Sequence, residues 1–262
     1  MHVKQADNVL MLLQFFAERL RPANLGDVSD HFGWPRSSTF NILTTLENRG
    51  FLYKVDGRKG FYPTPLWLEL ATLVAEADPI PERLTRVIDR LATQSGETVW
   101  LCMASGMFRL NILVRESNQQ VRVAAPPTDR LPIHGGASGH ALLSQMDDKA
   151  VTRILARATF TRYSESTPVT PAAVLAEIAA GKKRGWFQTK GNYAPGLGAV
   201  SVPVFNESRL MAVTVAGPLF RIEGEMPRFA ELIYDAIAGE YGPSHCADTL
   251  KGIALPGTPK NR

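Results

Sequence analysis

The sequence predicts an α+β chain with three parts: a small winged helix-turn-helix, a linker helix and a larger α/β domain. Three stretches carry that reading. Residues 24–50 spell two short helices about a turn at Gly33, with Pro35 suited to a first helical turn and Gly50 to the position just past a helix end. Residues 51–62 follow with two short apolar runs around Gly57 and Gly60, and Lys54, Arg58 and Lys59 give this hairpin a basic tip. Residues 198–205 and 210–217 alternate bulky with small side chains, the period of paired strands.

Composition narrows the class. A chain of 262 residues with 45% hydrophobic content is long enough for two domains with cores of their own. The formal charge of +4 is mild, so basic character must be local to matter. Cys102 and Cys246 are too few and too far apart for a disulfide framework or a metal knuckle, and no cofactor is expected. No apolar run reaches membrane-spanning length and residues 1–20 lack the plan of a signal peptide, so a cytoplasmic protein is expected.

In chain order, the first helix is expected to begin at about Asp7, as N-cap, and to pack through Val9, Leu10, Leu12, Leu13, Phe16 and Leu20 before Pro22. In the second, Leu25, Val28 and Phe32 face inward, Trp34 plugs the turn and His31 lies at the surface. In the third, helical spacing sets Thr39, Phe40, Leu43 and Leu46 on one side and Ser37, Ser38, Asn41, Thr45 and Asn48 on the other. A polar helix face is ordinarily just solvated. This one, however, carries short Ser, Thr and Asn groups behind Arg36, which reach phosphates and base edges, where a merely solvated helix favours Glu and Lys. The candidate contacts to duplex DNA are Arg36, Ser37, Ser38, Thr39, Asn41 and Thr45, with Arg58 and Lys59 of the wing, in a domain spanning residues 1–64.

Residues 65–80 form the linker: an apolar helix from Leu66 whose Leu66, Trp67, Leu70 and Leu73 leave a strip that a small winged domain cannot cover alone. A second copy of the chain could cover it, as could the rest of the same chain. Residues 81–242 make the second domain and residues 243–262, rich in Gly, Pro and Lys, a tail without structure. That domain opens with a helix from Glu82 to about Gln94. Strands are expected at 99–103 and 108–115 about a Ser105-Gly106 turn, with a third at 121–125 before Pro126 and Pro127. A Gly-rich loop at 131–136 runs straight into a helix toward Met146, so that amides at Ala137 and Ser138 could receive an anion without a cationic side chain. Residues 161–171 read as loop, Thr170 as the cap of a helix from Pro171 to about Arg184, and residues 226–241 as a closing helix.

In the strand pair, Val200, Val202, Val204, Val213 and Val215 form the bulky face, and Ala199, Ser201, Pro203, Ala212, Thr214 and Ala216 the small one. The small face leaves volume that a helix or a ligand must fill. An enzyme finds little support, because Glu97, His134 and His140 stand at no spacing that joins them to a nucleophile or metal set. Two readings remain: a ligand-responsive DNA-binding regulator, or a winged-helix protein whose second domain serves dimerisation or protein interaction without an effector.

Taken together, Arg36-Ser-Ser-Thr-Phe-Asn-Ile-Leu43 with Leu46 and Gly50, residues 95–99, 131–143, 196–205 and 215–218 resemble, in order and spacing, the isocitrate lyase regulator (IclR) family of bacterial transcription factors. The resemblance runs from Asp7 to about Tyr241. It implies a dimerising linker helix, an effector domain similar to GAF domains, and dimers or dimers of dimers on DNA that regulate catabolism of aromatic or small organic acids. Carried over residue by residue, the effector pocket falls on Val123, Leu131, Ala137, Ser138, Thr189, Leu197, Ala199, Thr214 and Ala216. The chain departs from the family's common pattern at Ile42 and His140, where basic residues are usual. It departs again at Thr189 and Ala199, where some members offer an acid and a thiol to a small oxo acid. Effector identity therefore does not carry over from the family; the small side chains of the pocket lead instead to the expectation of a small organic carboxylate, aromatic rather than a two- or three-carbon oxo acid.

Overall fold

In a computed structural model describing residues 3–55, 60–125, 130–206 and 209–242, the chain divides into two compact units, one through Pro79 and one from Ile80. The first holds α1 (Lys4–Arg19), α2 (Leu25–Phe32), α3 (Arg36–Asn48), β1 (Leu52–Val55), β2 (Gly60–Pro63) and α4 (Leu66–Ala77). Helix α1 starts three residues before Asp7, which lies in the first turn, favoured by the helix dipole, and does not cap. Leu10 and Leu20 are exposed; Leu20 adopts a left-handed conformation (φ 53°) that ends the helix, and Phe15 takes the buried place instead. Asn24 and Asp27 close a reciprocal capping box on α2 with two bonds of 3.0 Å. Gly33, at φ 63°, makes the turn that β-carbon strain would resist, and Trp34 stacks on Phe32 at 4.2 Å. Leu12, Phe15, Phe16, Val28, Leu43, Leu46 and Leu52 form the core.

Strands β1 and β2 pair antiparallel from Leu52↔Pro63 to Val55↔Gly60. The wing tip, with Arg58 and Lys59, lies outside the described residues, as does the tail from residue 243. Helix α4 buries no residue in this chain. Trp67 is nonetheless held by its own unit: its indole N–H donates to the Phe51 carbonyl at 2.9 Å and its ring lies 4.3 Å from that of Phe51. Trp67 and Leu66 are thus half-buried, and the open apolar strip is Leu68, Leu70, Leu73 and Val74.

The second unit runs α5 (Glu82–Ser95), β3 (Thr98–Ser105), β4 (Phe108–Arg115), β5 (Arg130–Pro132), α6 (Ala137–Leu143), α7 (Asp148–Arg157), α8 (Pro171–Arg184), β6 (Phe187–Lys190), β7 (Leu197–Asn206), β8 (Arg209–Pro218), α9 (Leu219–Ile222) and α10 (Met226–Tyr241). Its six strands form one antiparallel sheet in the order β5-β4-β3-β8-β7-β6. Register sorts the two faces. Val99, Val215 and Val200 share a row and face α5 and α10, whereas Trp100, Thr214 and Ser201 share the next and face α6. Residues 121–125 do not form the expected strand; they run extended beside the sheet, with the Thr98 hydroxyl donating to the Val123 carbonyl at 2.7 Å. The edge strands are β5 and β6, and β5, β6, α7 and α9 are elements the sequence reading did not assign.

Candidate functional site

On α3 the polar face falls where helical spacing put it, and the packing face keeps Thr39, Leu43 and Leu46 but loses Phe40. Arg36, Ser37, Ser38, Asn41, Thr45 and Asn48 are exposed, but Thr39 is 0% exposed and its hydroxyl donates to the Pro35 carbonyl at 3.1 Å. Thr39 therefore cannot touch DNA. Phe40, expected in the core, is 54% exposed and stands among the polar residues. The Thr45 hydroxyl folds back on the Asn41 carbonyl at 2.7 Å, and Lys54 at the wing's base is bridged to Glu47 at 2.9 Å.

In the second unit a cavity of about 120 Å³ lies between the sheet and the loop that leads into α6. Val123, Leu131, Ala137, Ser138, Thr189, Leu197, Ala199 and Ala216 line it. Thr214 does not: it is fully buried, its hydroxyl 2.8 Å from that of Ser201, and Ser201 in turn donates to the Val213 carbonyl. The small face is thus filled twice over, by α6 above Ser201 and Thr214 and by open space beside Ala199 and Ala216. The loop is held close to α6 because residue 139 is glycine; a β-carbon there would meet the Ile133 carbonyl oxygen at 1.7 Å.

The lining also includes Arg109, Trp100, Tyr163 and Tyr193, which the sequence reading did not single out. Arg109 is 7% exposed, donates to the Asn111 side-chain oxygen, and lies 5.3 Å from the Trp100 ring centre. Its signal in the sequence is a charge that alternates with apolar residues and shares its face with Asn111 in β4. Cys102, whose thiol donates to the Ala212 carbonyl at 3.5 Å, is driven up to a pKa of about 11 by burial against the opposing field of Arg109, so it stays a thiol.

Two of the three acid/base candidates, Glu97 and His140, are committed elsewhere, while both ring nitrogens of His134 are buried without a hydrogen-bond partner among the described residues. Glu97 is bound by the Arg221 guanidinium, one bond measuring 2.9 Å, and Arg221 also holds the Val121 carbonyl at 2.9 Å. The His140 ring donates through Nε2 to the His134 carbonyl at 2.8 Å, and burial lowers its pKa to about 4. His134 packs against Phe160, with ring centres 4.6 Å apart, and burial lowers its pKa too. Among the described residues no group of His, Cys, Asp and Glu could hold a metal ion, and no helix is long and apolar enough to cross a membrane.

Residues 72–238 match the family described as Bacterial transcriptional regulator IclR C-terminal, and residues 5–56 match the IclR helix-turn-helix domain. The chain belongs to the IclR family. It is similar to the acetate operon repressor of Salmonella typhimurium, with 30% identity over 81% of this chain and 79% of that one. It is likewise similar to the transcriptional repressor IclR of Escherichia coli, with 27% identity over 87% and 85%. Its fold matches that of an IclR homolog from Microbacterium hydrocarbonoxydans complexed with 4-hydroxybenzoate, at a TM-score of 0.72 and 18% identity, over 92% of this chain and 99% of that one. The IclR fold thus accounts for both units, a helix-turn-helix that binds DNA and a domain that binds an effector. The chain is a transcriptional regulator and not an enzyme.

Proposed function

We propose that this IclR-family regulator controls a catabolic operon in response to a small aromatic carboxylate. The cavity carries the reading. Its volume of about 120 Å³ is of the order of the apolar cavities, about 150 Å³, that admit a benzene ring, and larger than a two- or three-carbon oxo acid needs. Ala199 stands where a thiol would serve an oxo acid, and the small Ala194, Ala199 and Ala216 leave width for a ring. The M. hydrocarbonoxydans homolog with bound 4-hydroxybenzoate lends support at the level of the fold. Thr189, on the cavity wall, is placed to bond a polar substituent.

On the DNA side, the contacts proposed are Arg36, Ser37, Ser38, Asn41 and Thr45, joined by the exposed Phe40, with Arg58 and Lys59 of the wing on phosphates. The protein acts as a dimer or dimer of dimers, its α4 helices meeting along Leu68, Leu70, Leu73 and Val74. The effector binds one arrangement of the dimer better and so shifts the spacing of the recognition helices. Calorimetry of benzoate and 4-hydroxybenzoate against pyruvate and glyoxylate tests the ligand class. Binding of the aromatic acids alone is expected; preference for the oxo acids would overturn it.

A further inference from the structure

The cavity of the second unit holds a buried positive charge with no negative partner among the described residues. Arg109 projects from β4 opposite Leu131 of β5. Its contacts are the neutral Asn111 amide and the face of Trp100, which together use only part of the five N–H donors of a guanidinium. No ion pair reaches it, although nine-tenths of the side chain is out of water. An uncompensated buried charge costs far more than a paired one, so a fold that retains it against a cavity leaves room for the missing anion.

Among the described residues the cavity's own wall provides no carboxylate. The other polar side chains there are the hydroxyls of Ser138, Thr189, Tyr163 and Tyr193. Cys102, in the field of Arg109, remains a thiol because burial raises its pKa to about 11. Arg109, Ala137 and Ser138 all line this one cavity, so the guanidinium and the start of α6 border the same space. A planar fork of N–H donors there matches a carboxylate, which it can take with two parallel bonds.

We propose that Arg109 is the cationic anchor of the effector site, pairing with the carboxylate of the ligand and so selecting acids over neutral molecules of the same shape. The proposal rests on the effector reading above and assigns the charge recognition to a side chain. The amides of Ala137 and Ser138 then complement an ion pair that they do not make alone.

The test compares full-length wild type with Arg109→Met and Arg109→Lys, using benzoate, its neutral isostere benzamide, and acetate. Wild type is expected to bind benzoate at least about 10-fold tighter than benzamide. Arg109→Met is expected to lose roughly 10- to 100-fold in benzoate affinity, the range of a charge-assisted hydrogen bond, with benzamide unchanged. Arg109→Lys falls between them, since an ammonium keeps the charge and loses the fork. Acetate is expected to raise the unfolding midpoint of wild type and not of Arg109→Met, whose circular dichroism reports whether it folds. If benzoate binds wild type and Arg109→Met equally, the anchor is wrong and the effector reading stands. If no aromatic acid binds wild type while acetate still stabilises it through Arg109, the aromatic reading falls and the anchor stands. If neither benzoate nor acetate acts on wild type, both are overturned.

Discussion

The outer face of α3 presents Arg36, Ser37, Ser38 and Asn41 to solvent, whereas the second unit encloses Arg109, Cys102, His134 and His140 within a sheet and its covering helices. In the first case polar groups keep their water until a partner replaces it, so their cost to the fold is small. In the second, desolvation has already been met, and each group must be neutral, bonded or awaiting a counter-ion. His140 is bonded and neutral, Cys102 is held as a thiol, and Arg109 has the Asn111 amide and the Trp100 ring as its neighbours. The lesson is that substitutions on the outer face of α3 change recognition with little effect on stability, while those around the cavity couple the two.

Two glycines sharpen the contrast most strongly. Gly139 is pressed against the Ile133 carbonyl, so Gly139→Ala forces backbone apart from backbone in the loop that shapes the cavity. A destabilisation of about 3 kcal/mol or more is expected, the upper end of overpacking costs. Gly33 has nothing within 4 Å of an added β-carbon and suffers only the strain of its positive φ, so Gly33→Ala should cost about 1 kcal/mol. Denaturant unfolding of both variants checks this; equal losses would mean that the loop yields freely.

Acid should separate the units next. The folded pKa of His140 lies at about 4, below its ordinary 6.5, so between those values the unfolded chain binds more protons than the folded one. Stability contributed by the neutral ring is therefore whole above pH 6.5 and is lost as the pH falls toward 4, by roughly 3 kcal/mol in total. His134, also pulled down by burial, adds in the same direction. His140→Gln, which keeps a donor for the His134 carbonyl, should remove most of that pH slope. An unchanged slope would show that other groups set it.

How legible each region was follows from its geometry. In the sheet a period of two leaves one choice of face, and the alternation in 198–205 and 210–217 places Ala199 and Ala216 on the cavity side as written. Thr214 lies on that same face, but alternation gives no position along the strand, and α6 covers it. On α3 each residue turns the helix by 100°, so the margins of a stripe are ambiguous: Thr39, Leu43 and Leu46 pack as spaced, while Phe40, at the margin, turns outward. Helix α7 was readable, since Asp147 accepts from the Ala150 amide at 2.7 Å as an N-cap and Val151 and Leu155 follow at helical spacing. Arg109 was not, because a lone Arg in a strand ordinarily points to solvent, and only the pairing of β4 with β3 and β5 turns it inward.

The smallest effects are expected on α3, where they divide by face. Asn41 is exposed beside Ser37 and Ser38 and carries the side chain best matched to an adenine edge, with one donor and one acceptor held side by side. Asn41→Ala should relax discrimination at one base pair by about 1 to 3 kcal/mol, with affinity for random duplex nearly unchanged. Thr39→Val does the converse. It keeps the shape and removes the hydroxyl that donates to Pro35, so it should cost about 1 kcal/mol of stability and leave base preference alone. A gel-shift competition between operator and scrambled duplex, run beside thermal unfolding, reads both quantities at once. If Thr39→Val altered base preference as much as Asn41→Ala, the inward turn of Thr39 would not describe the DNA-bound helix, and the division of α3 into a packing and a reading face would have to be redrawn.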